Sequence, residues 1–276
     1  MQARIVKLQR LVGYITGFLL FYEPFMLFHR LAGSLFEETG FYSLHVPCAR
    51  IPLANILTGD WAYAGAVSLC FCLLLAVVSL WFGPLFCGRL CPAGAFSEFL
   101  GSLLPEKYQI DWGRHLPIVP LRYGFWMGFL LSVAAGLGYP CAYCNYYALE
   151  LFTLSICSGK LMLSSVSLIA AFLLSNILLG LFTKGGRGYC NFLCPVGASC
   201  SLLHRLGQLL PGPCKMTVSH SCIGCGKCVG SCPMRAVSLH QGKAVININH
   251  CIVCGCCSRQ CPTHSIHYRS NISKEL

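Results

Sequence analysis

Four long apolar stretches, separated by short polar connections, dominate the first three quarters of the chain. Residues 61–82 and 161–182 are each 22 residues long and contain no charged side chain. The stretches at 11–28 and 123–139 are shorter, and the first of them contains Glu23. About 20 apolar residues in a helix are enough to cross the hydrocarbon core of a bilayer. The pattern therefore predicts a membrane α-helical domain with four transmembrane helices.

A different pattern follows in residues 212–276, where short segments replace the long apolar stretches. Residues 236–239 and 244–247 surround a Gln-Gly-Lys turn that begins at Gln241, an arrangement typical of a β-hairpin. We therefore predict two domains, a transmembrane domain over 1–211 and a small α+β domain over 212–276.

The transmembrane part contains an internal repeat. The pattern C-x2-L-C-P-x-G-A begins at Cys87 and again at Cys190, each time directly after a predicted helix. Residues 8–97 and 121–200 are therefore predicted to be two copies of one helix pair, each ending in the CxxxCP motif. Such duplications imply a pseudo-twofold axis along the membrane normal, with corresponding loops facing each other.

Two cysteine runs in the small domain have the spacing C-x2-C-x2-C-x3-C-P, which bacterial ferredoxins use to hold [4Fe–4S] clusters. Two short spacers bring three thiolates onto one tight loop, and the fourth cysteine, ahead of proline, ligates the other cluster. Structural zinc is the alternative, but it does not require two full runs each followed by proline. The two predicted ligand sets are Cys222, Cys225, Cys228 and Cys261 for cluster I, and Cys251, Cys254, Cys257 and Cys232 for cluster II.

Two further sets of cysteines are candidate metal or cluster ligands. Facing CxxxCP loops would gather four thiols able to hold an Fe–S cluster or another metal, and structural, redox-sensing or docking roles are the alternatives. An outer set is predicted from two Pro-Cys-Ala loops and a C-x2-C motif, where a disulfide or a reactive dithiol competes with a cluster. The inner set is Cys87, Cys91, Cys190 and Cys194, and the outer set is Cys48, Cys141, Cys144 and Cys157.

Composition and charge favour a membrane redox protein over a nucleic-acid binder. The chain is 55% hydrophobic and 11% charged, with a formal net charge of +11. Its basic residues flank the apolar stretches, as the positive-inside rule describes, and each four-thiolate cubane would add roughly two negative charges. We therefore predict a multi-pass protein of the bacterial inner membrane, surrounded by lipid, with both termini and the small domain in the cytoplasm.

Three polar residues near the predicted outer side of the membrane form a candidate quinone site. An ionisable side chain within a membrane segment is costly and indicates a functional site, and Glu23 is such a residue. With His29 and His45 it could bond the quinone oxygens and accept protons. The alternative is that Glu23 reaches the membrane surface or caps a kink at Pro24.

The combination of four helices, paired C-x3-C-P motifs and a two-cluster ferredoxin resembles NapH, a family of membrane quinol dehydrogenase subunits with NosR, MauN and CcoG as relatives. The resemblance implies a subunit of a respiratory complex that exchanges electrons between quinol and redox partners, namely ferredoxin-like or cytochrome c-type subunits. It also implies two [4Fe–4S] clusters, beside one or two additional clusters suggested by the membrane cysteines. CcoG-like members point to the alternative, a copper reductase or assembly factor.

Overall fold

The computed structural model describes residues 2–22, 25–35, 50–59, 63–136, 144–160, 170 and 173–270. The first 207 residues are helical wherever regular structure is described. Two short π-helical segments, Phe86–Leu90 and Ile177–Leu181, interrupt the α-helices. The α-helices are α1 (Gln2–Phe21), α2 (Leu27–Leu35), α3 (Arg50–Thr58), α4 (Tyr63–Phe82), α5 (Pro92–Leu103), α6 (Ile118–Ala134), α7 (Asn145–Ser158), α8 (Gly188–Phe192) and α9 (Pro195–Gly207).

The prediction of four transmembrane helices is wrong. Among the described residues, no helix combines the length and the apolar composition that a bilayer crossing needs. α1 includes the charged residues Arg4, Lys7 and Arg10, α6 has 17 residues, and the stretch 11–28 is divided between α1 and α2. Much of the stretch 161–182 lies outside the described residues. The predicted location at the bacterial inner membrane stays a prediction.

The CxxxCP motif starts a helix in both copies. Cys91 and Cys194 are the N-cap residues of α5 and α9, and the prolines that follow them are the first helical residues. Proline suits this position because its fixed φ angle is helical and its missing N–H would have had no partner within the helix. The motif therefore places its second cysteine at the start of α5 in one copy and of α9 in the other.

The C-terminal part folds as a small α+β unit. Its elements are β1 (Cys214–Val218), α10 (Lys227–Gly230), β2 (Val237–His240), β3 (Lys243–Ile246), α11 (Cys256–Gln260) and β4 (Ile266–Ser270). β1 pairs antiparallel with β4, and β2 with β3. The predicted hairpin is confirmed, because β2 and β3 are joined by Gln241 and Gly242, whose φ angles of +50° and +74° suit a type I′ turn.

Two apolar cores meet at the first CxxxCP motif. One core is built from the N-terminal helices and includes Phe21, Phe71 and Phe86. The other lies within the C-terminal unit and includes Ile252 and five buried cysteines. Cys87 packs against both cores, so the CxxxCP thiols lie at the boundary between the two parts of the chain.

Candidate iron–sulfur sites

The ligands predicted for cluster II come together in the structure. Cys232, from the first cysteine run, lies close enough to Cys254 and Cys257 of the second run to interact with them electrostatically. Cys251 interacts with Cys254 and Cys232 in the same way. Burial raises the pKa of Cys251 to about 12 and that of Cys232 to about 11. Cys251 and Cys232 are therefore neutral at physiological pH unless a metal replaces the proton, as ligation requires.

The ligands predicted for cluster I lie nearer the surface. Cys228 has Cys222 and Cys225 as electrostatic neighbours, and Cys225 is exposed. Cys261 is connected to the first cysteine run by contacts of two serine residues. Its Sγ accepts a hydrogen bond from the Ser265 backbone at 3.3 Å, and Ser265 Oγ is 3.0 Å from the hydroxyl of Ser221, the residue before Cys222. One candidate cluster site is thus partly exposed to solvent and the other is enclosed.

The two cysteine runs share their backbone conformation. Gly226 and Gly255 both have φ +75°, which glycine adopts without strain. At the position before the second cysteine, the first run has Gly224 with φ +66°, whereas the second has Val253 with φ +50°. A β-branched residue rarely adopts this conformation. Val253 is 1% exposed and lies against Gly83 of the helical part, so packing between the two parts stabilises the strained residue.

Backbone N–H groups point at several cysteine sulfurs in equivalent positions. The N–H groups of Ala236 and Ser265 each lie 3.3 Å from the Sγ of the cysteine four residues earlier. In the CxxxCP motif, the N–H of Gly197 lies 3.3 Å from Cys194 Sγ. Cys91 receives the same bond from Gly94. Such bonds favour the thiolate and contribute to the reduction potential of a bound cluster.

The four CxxxCP thiols converge, as the repeat predicts. Cys91 interacts electrostatically with Cys87 and Cys190, and Cys194 interacts with all three. Burial raises the pKa of Cys91 to about 12 and also raises the pKa values of Cys190 and Cys194. The donors in this group are sulfur atoms, which suits an Fe–S cluster.

The CxxxCP site is in direct contact with the second cysteine run. A Cβ added to Gly88 would lie 2.2 Å from the carbonyl oxygen of Ile252, which follows Cys251. A Cβ added to Gly185 would lie 2.4 Å from the carbonyl oxygen of Pro233, which follows Cys232. Glycine at both positions lets the backbones meet, so the CxxxCP site adjoins the site predicted for cluster II.

The outer cysteines do not form one group in the part of the chain that the structure describes. Cys144 caps the start of α7 and Cys157 is near its end, thirteen positions later. At 1.5 Å per residue the two are about 20 Å apart along the helix, too far to share one cluster. Cys48 and Cys141 lie outside the described residues.

The predicted quinone site also falls largely outside the described residues. Glu23 and His45 are not described, and only the backbone of His29 is, within α2.

Within the residues that are described, no group of three or more His, Cys, Asp or Glu side chains is close enough to hold a single metal ion.

Several residues near the CxxxCP thiols were not identified from the sequence. Cys200 of α9 hydrogen-bonds Cys87. Glu98 of α5 pairs with Arg187, just before the second motif, and Arg122 at the start of α6 is 2% exposed. Glu98 and Arg187 are charged residues close in sequence to the CxxxCP motifs, a signal that could have identified these two side chains.

Comparisons with known proteins agree with this chemistry. A family described as a 4Fe-4S binding domain matches twice, at residues 63–111 and 166–213, and each match includes one CxxxCP motif. A family described as a 4Fe-4S dicluster domain matches residues 215–262, which contain all eight cysteines of the two runs. No solved structure matches the chain.

Two relatives are electron-transport or ferredoxin-type proteins by name, and a third is named as a regulatory protein. The putative electron transport protein YccM of Escherichia coli is 28% identical over 66% of this chain and 50% of its own length. The methylamine utilization ferredoxin-type protein MauN of Methylobacillus flagellatus is 30% identical, over 55% and 48%. The regulatory protein NosR of Pseudomonas aeruginosa is 26% identical, over 73% and 27%.

The chain thus spans half or less of the length of these three relatives. The segments that the two family models match include the repeated helical part and the cysteine runs that carry the candidate sites. The chain belongs to the NapH/NosR-like family of ferredoxin-type iron–sulfur electron-transport proteins.

Proposed function

We propose that this chain is an electron-transfer subunit of a respiratory complex and moves electrons between the quinone pool and redox partner proteins. The observation that supports this most strongly is the contact between the CxxxCP thiols and the second cysteine run at Gly88 and Ile252. The CxxxCP thiols, which are partly buried, thereby adjoin the second cysteine run, and the first run includes the exposed Cys225.

The cofactors proposed for these three groups of cysteines are three [4Fe–4S] clusters. The eight cysteines of the two runs would hold two of them in the interlocked arrangement, and Cys87, Cys91, Cys190 and Cys194 would hold the third. When bound, such clusters supply one-electron transfer. The protein contributes the burial of the thiols, the backbone N–H bonds to sulfur and the close packing between neighbouring sites.

The surface around the first cysteine run is the proposed contact for a redox partner protein. Cys225 is exposed and the neighbouring Ile223 is 66% exposed. Lys227 is the first residue of α10 in the same run. An apolar side chain beside a basic residue suits brief docking of a ferredoxin-like or cytochrome c-type subunit, since charge guides the encounter and apolar contact holds it.

Quinol oxidation provides a direct test of the proposed function. When the anaerobically purified protein is mixed with menadiol, its Fe–S absorbance is expected to bleach as the clusters are reduced. Glu23→Gln is expected to slow this bleaching by at least about tenfold, because the carboxylate is the proposed proton acceptor. The exposed Glu106 provides the control, and Glu106→Gln is expected to react at the wild-type rate.

Equal bleaching rates in wild type and Glu23→Gln would exclude Glu23 as the proton acceptor. Failure of menadiol to reduce the wild-type clusters, combined with rapid oxidation of the reduced protein by Cu(II), would contradict quinone exchange and favour copper reduction.

A further inference from the structure

Two buried arginines lie against the CxxxCP thiols. Arg187 is 1% exposed and Arg122 is 2% exposed. Arg187 interacts electrostatically with Cys190 and Cys91, and Arg122 interacts with Cys87 and Cys190. Arginine is charged at every physiological pH, so the thiols face two permanent positive charges.

The glycine of the repeated motif makes room for these guanidinium groups. A Cβ added to Gly94 would lie 2.8 Å from Arg187 Nη1, and a Cβ added to Gly197 would lie 3.0 Å from Arg122 Nη2. Each copy of C-P-x-G therefore places its glycine against one arginine. The duplicated motif thus positions a pair of cations as well as a set of four thiols.

Among the residues that the structure describes, this positive charge is only partly compensated by protein groups. Glu98 forms ion pairs with both Arg187 and Arg10, so these three residues together keep one positive charge. Arg122 donates from Nη1 to the neutral carbonyl oxygen of Asn249 at 2.8 Å. Its Nε is buried without a hydrogen-bond partner among the described residues.

About two positive charges therefore remain beside the CxxxCP site. Buried charge without compensation is costly. Four thiolates around a [4Fe–4S] core carry roughly two negative charges, so such a cluster would compensate the two positive charges. The arginines are also held in place by the protein, because Arg187 donates from Nη1 to the Cys87 carbonyl oxygen at 2.7 Å and from Nη2 to the Tyr14 hydroxyl at 2.8 Å.

We propose that Arg122 and Arg187 are positioning residues that compensate the negative charge of a [4Fe–4S] cluster held by the CxxxCP thiols and thereby raise its reduction potential. This inference rests on the proposed function, which supplies the third cluster. An added electron makes the cluster more negative, so a nearby cation stabilises the reduced form more than the oxidised form. Removing either cation should make reduction harder.

A redox titration followed by EPR tests the proposal. Arg122→Gln and Arg187→Gln are each expected to lower the reduction equilibrium constant of the third cluster at least tenfold, which is 59 mV for a one-electron couple. The signals of the two ferredoxin clusters should change much less. Arg122→Lys and Arg187→Lys keep the charge and should stay close to wild type. Arg205, exposed on the same helix as Cys200, provides the control Arg205→Gln, which should behave as wild type.

The outcomes separate the inference from the proposed function. A third cluster with wild-type potential in both Gln variants would overturn the inference and leave the proposed function standing. Equal shifts in the Lys and Gln variants would also overturn it, since charge would then not be the cause. Loss of the third cluster in the Gln variants alone, with the Lys variants intact, would support it. A wild-type protein with only about eight irons would instead remove the third cluster, and with it the inference.

Discussion

The substitution Glu98→Gln is expected to destabilise the protein by about 3–5 kcal/mol. The Glu98 carboxylate accepts hydrogen bonds from Arg10 at 2.6 Å and from the fully buried Arg187. Removing one partner of a buried ion pair leaves uncompensated charge in a poorly solvated place, which costs this much. Here one neutral amide would face two guanidinium groups. Urea denaturation of the anaerobically purified protein, followed by circular dichroism, measures the change.

Glu106→Gln is the matched control for this measurement. Glu106 also pairs with an arginine, but its side chain is 68% exposed and the distance to Arg235 is 3.5 Å. Exposed ion pairs contribute at most about 1 kcal/mol, so this variant should lie within that limit of wild type. Similar losses of stability in the two variants would contradict a special role for the Glu98 network.

Cys232→Ala is expected to abolish the same EPR signal as Cys251→Ala. In the interlocked arrangement Cys232 completes the cluster of the second run, and the structure places it beside Cys254 and Cys257. A cubane that loses one of its four thiolate ligands is released from the protein or changes its form, and its original EPR signal disappears. Cys228→Ala and Cys261→Ala should together identify the other signal. These four variants, measured as dithionite-reduced samples, assign each remote cysteine to its cluster.

A sequential arrangement gives a different grouping. Cys232→Ala would then remove the same signal as Cys228→Ala, and Cys261→Ala the same signal as Cys251→Ala. That result would contradict the interlocked assignment. Cys157→Ala, on an exposed thiol outside the cluster sites, should leave both signals unchanged and controls for the handling of an oxygen-sensitive protein.

Local spacing accounts for what the sequence predicted correctly. The hairpin of β2 and β3 depends on residues 237–246 alone, with a two-residue turn between adjacent strands. The three cysteines of each run are likewise close in sequence. The CxxxCP thiols are far apart along the chain, but the repeat indicated that their loops face each other, and Cys91 does lie beside Cys190.

Contacts between distant residues explain most of what the sequence could not show. Glu98 pairs with Arg10 and Arg187 across 88 and 89 positions of the chain. Residues so far apart form no motif that can be recognised in the sequence. Cys200 becomes a partner of Cys87 only because the helices that carry them pack together. Val253 in a left-handed conformation also depends on packing, here against Gly83.

The errors came from treating apolar runs as helices of their full length. Helix ends depend on capping and tertiary packing as well as hydrophobicity, so α1 ends at Phe21 although the apolar run continues. The pairing of Cys144 with Cys157 in the outer cysteine set has a related problem, while the other two members of that set lie outside the described residues. Grouping Cys144 with Cys157 ignored that a helix between them separates its ends by about 20 Å, and α7 is that helix.

Iron and acid-labile sulfide per chain, measured together with EPR of the reduced protein, test most directly whether the CxxxCP thiols hold a third cluster. The expected result is about 12 irons for wild type and about 8 for Cys190→Ala, with loss of one signal and retention of both ferredoxin signals. Cys157→Ala should retain about 12. About 8 irons in both wild type and Cys190→Ala, with identical spectra, would contradict the account.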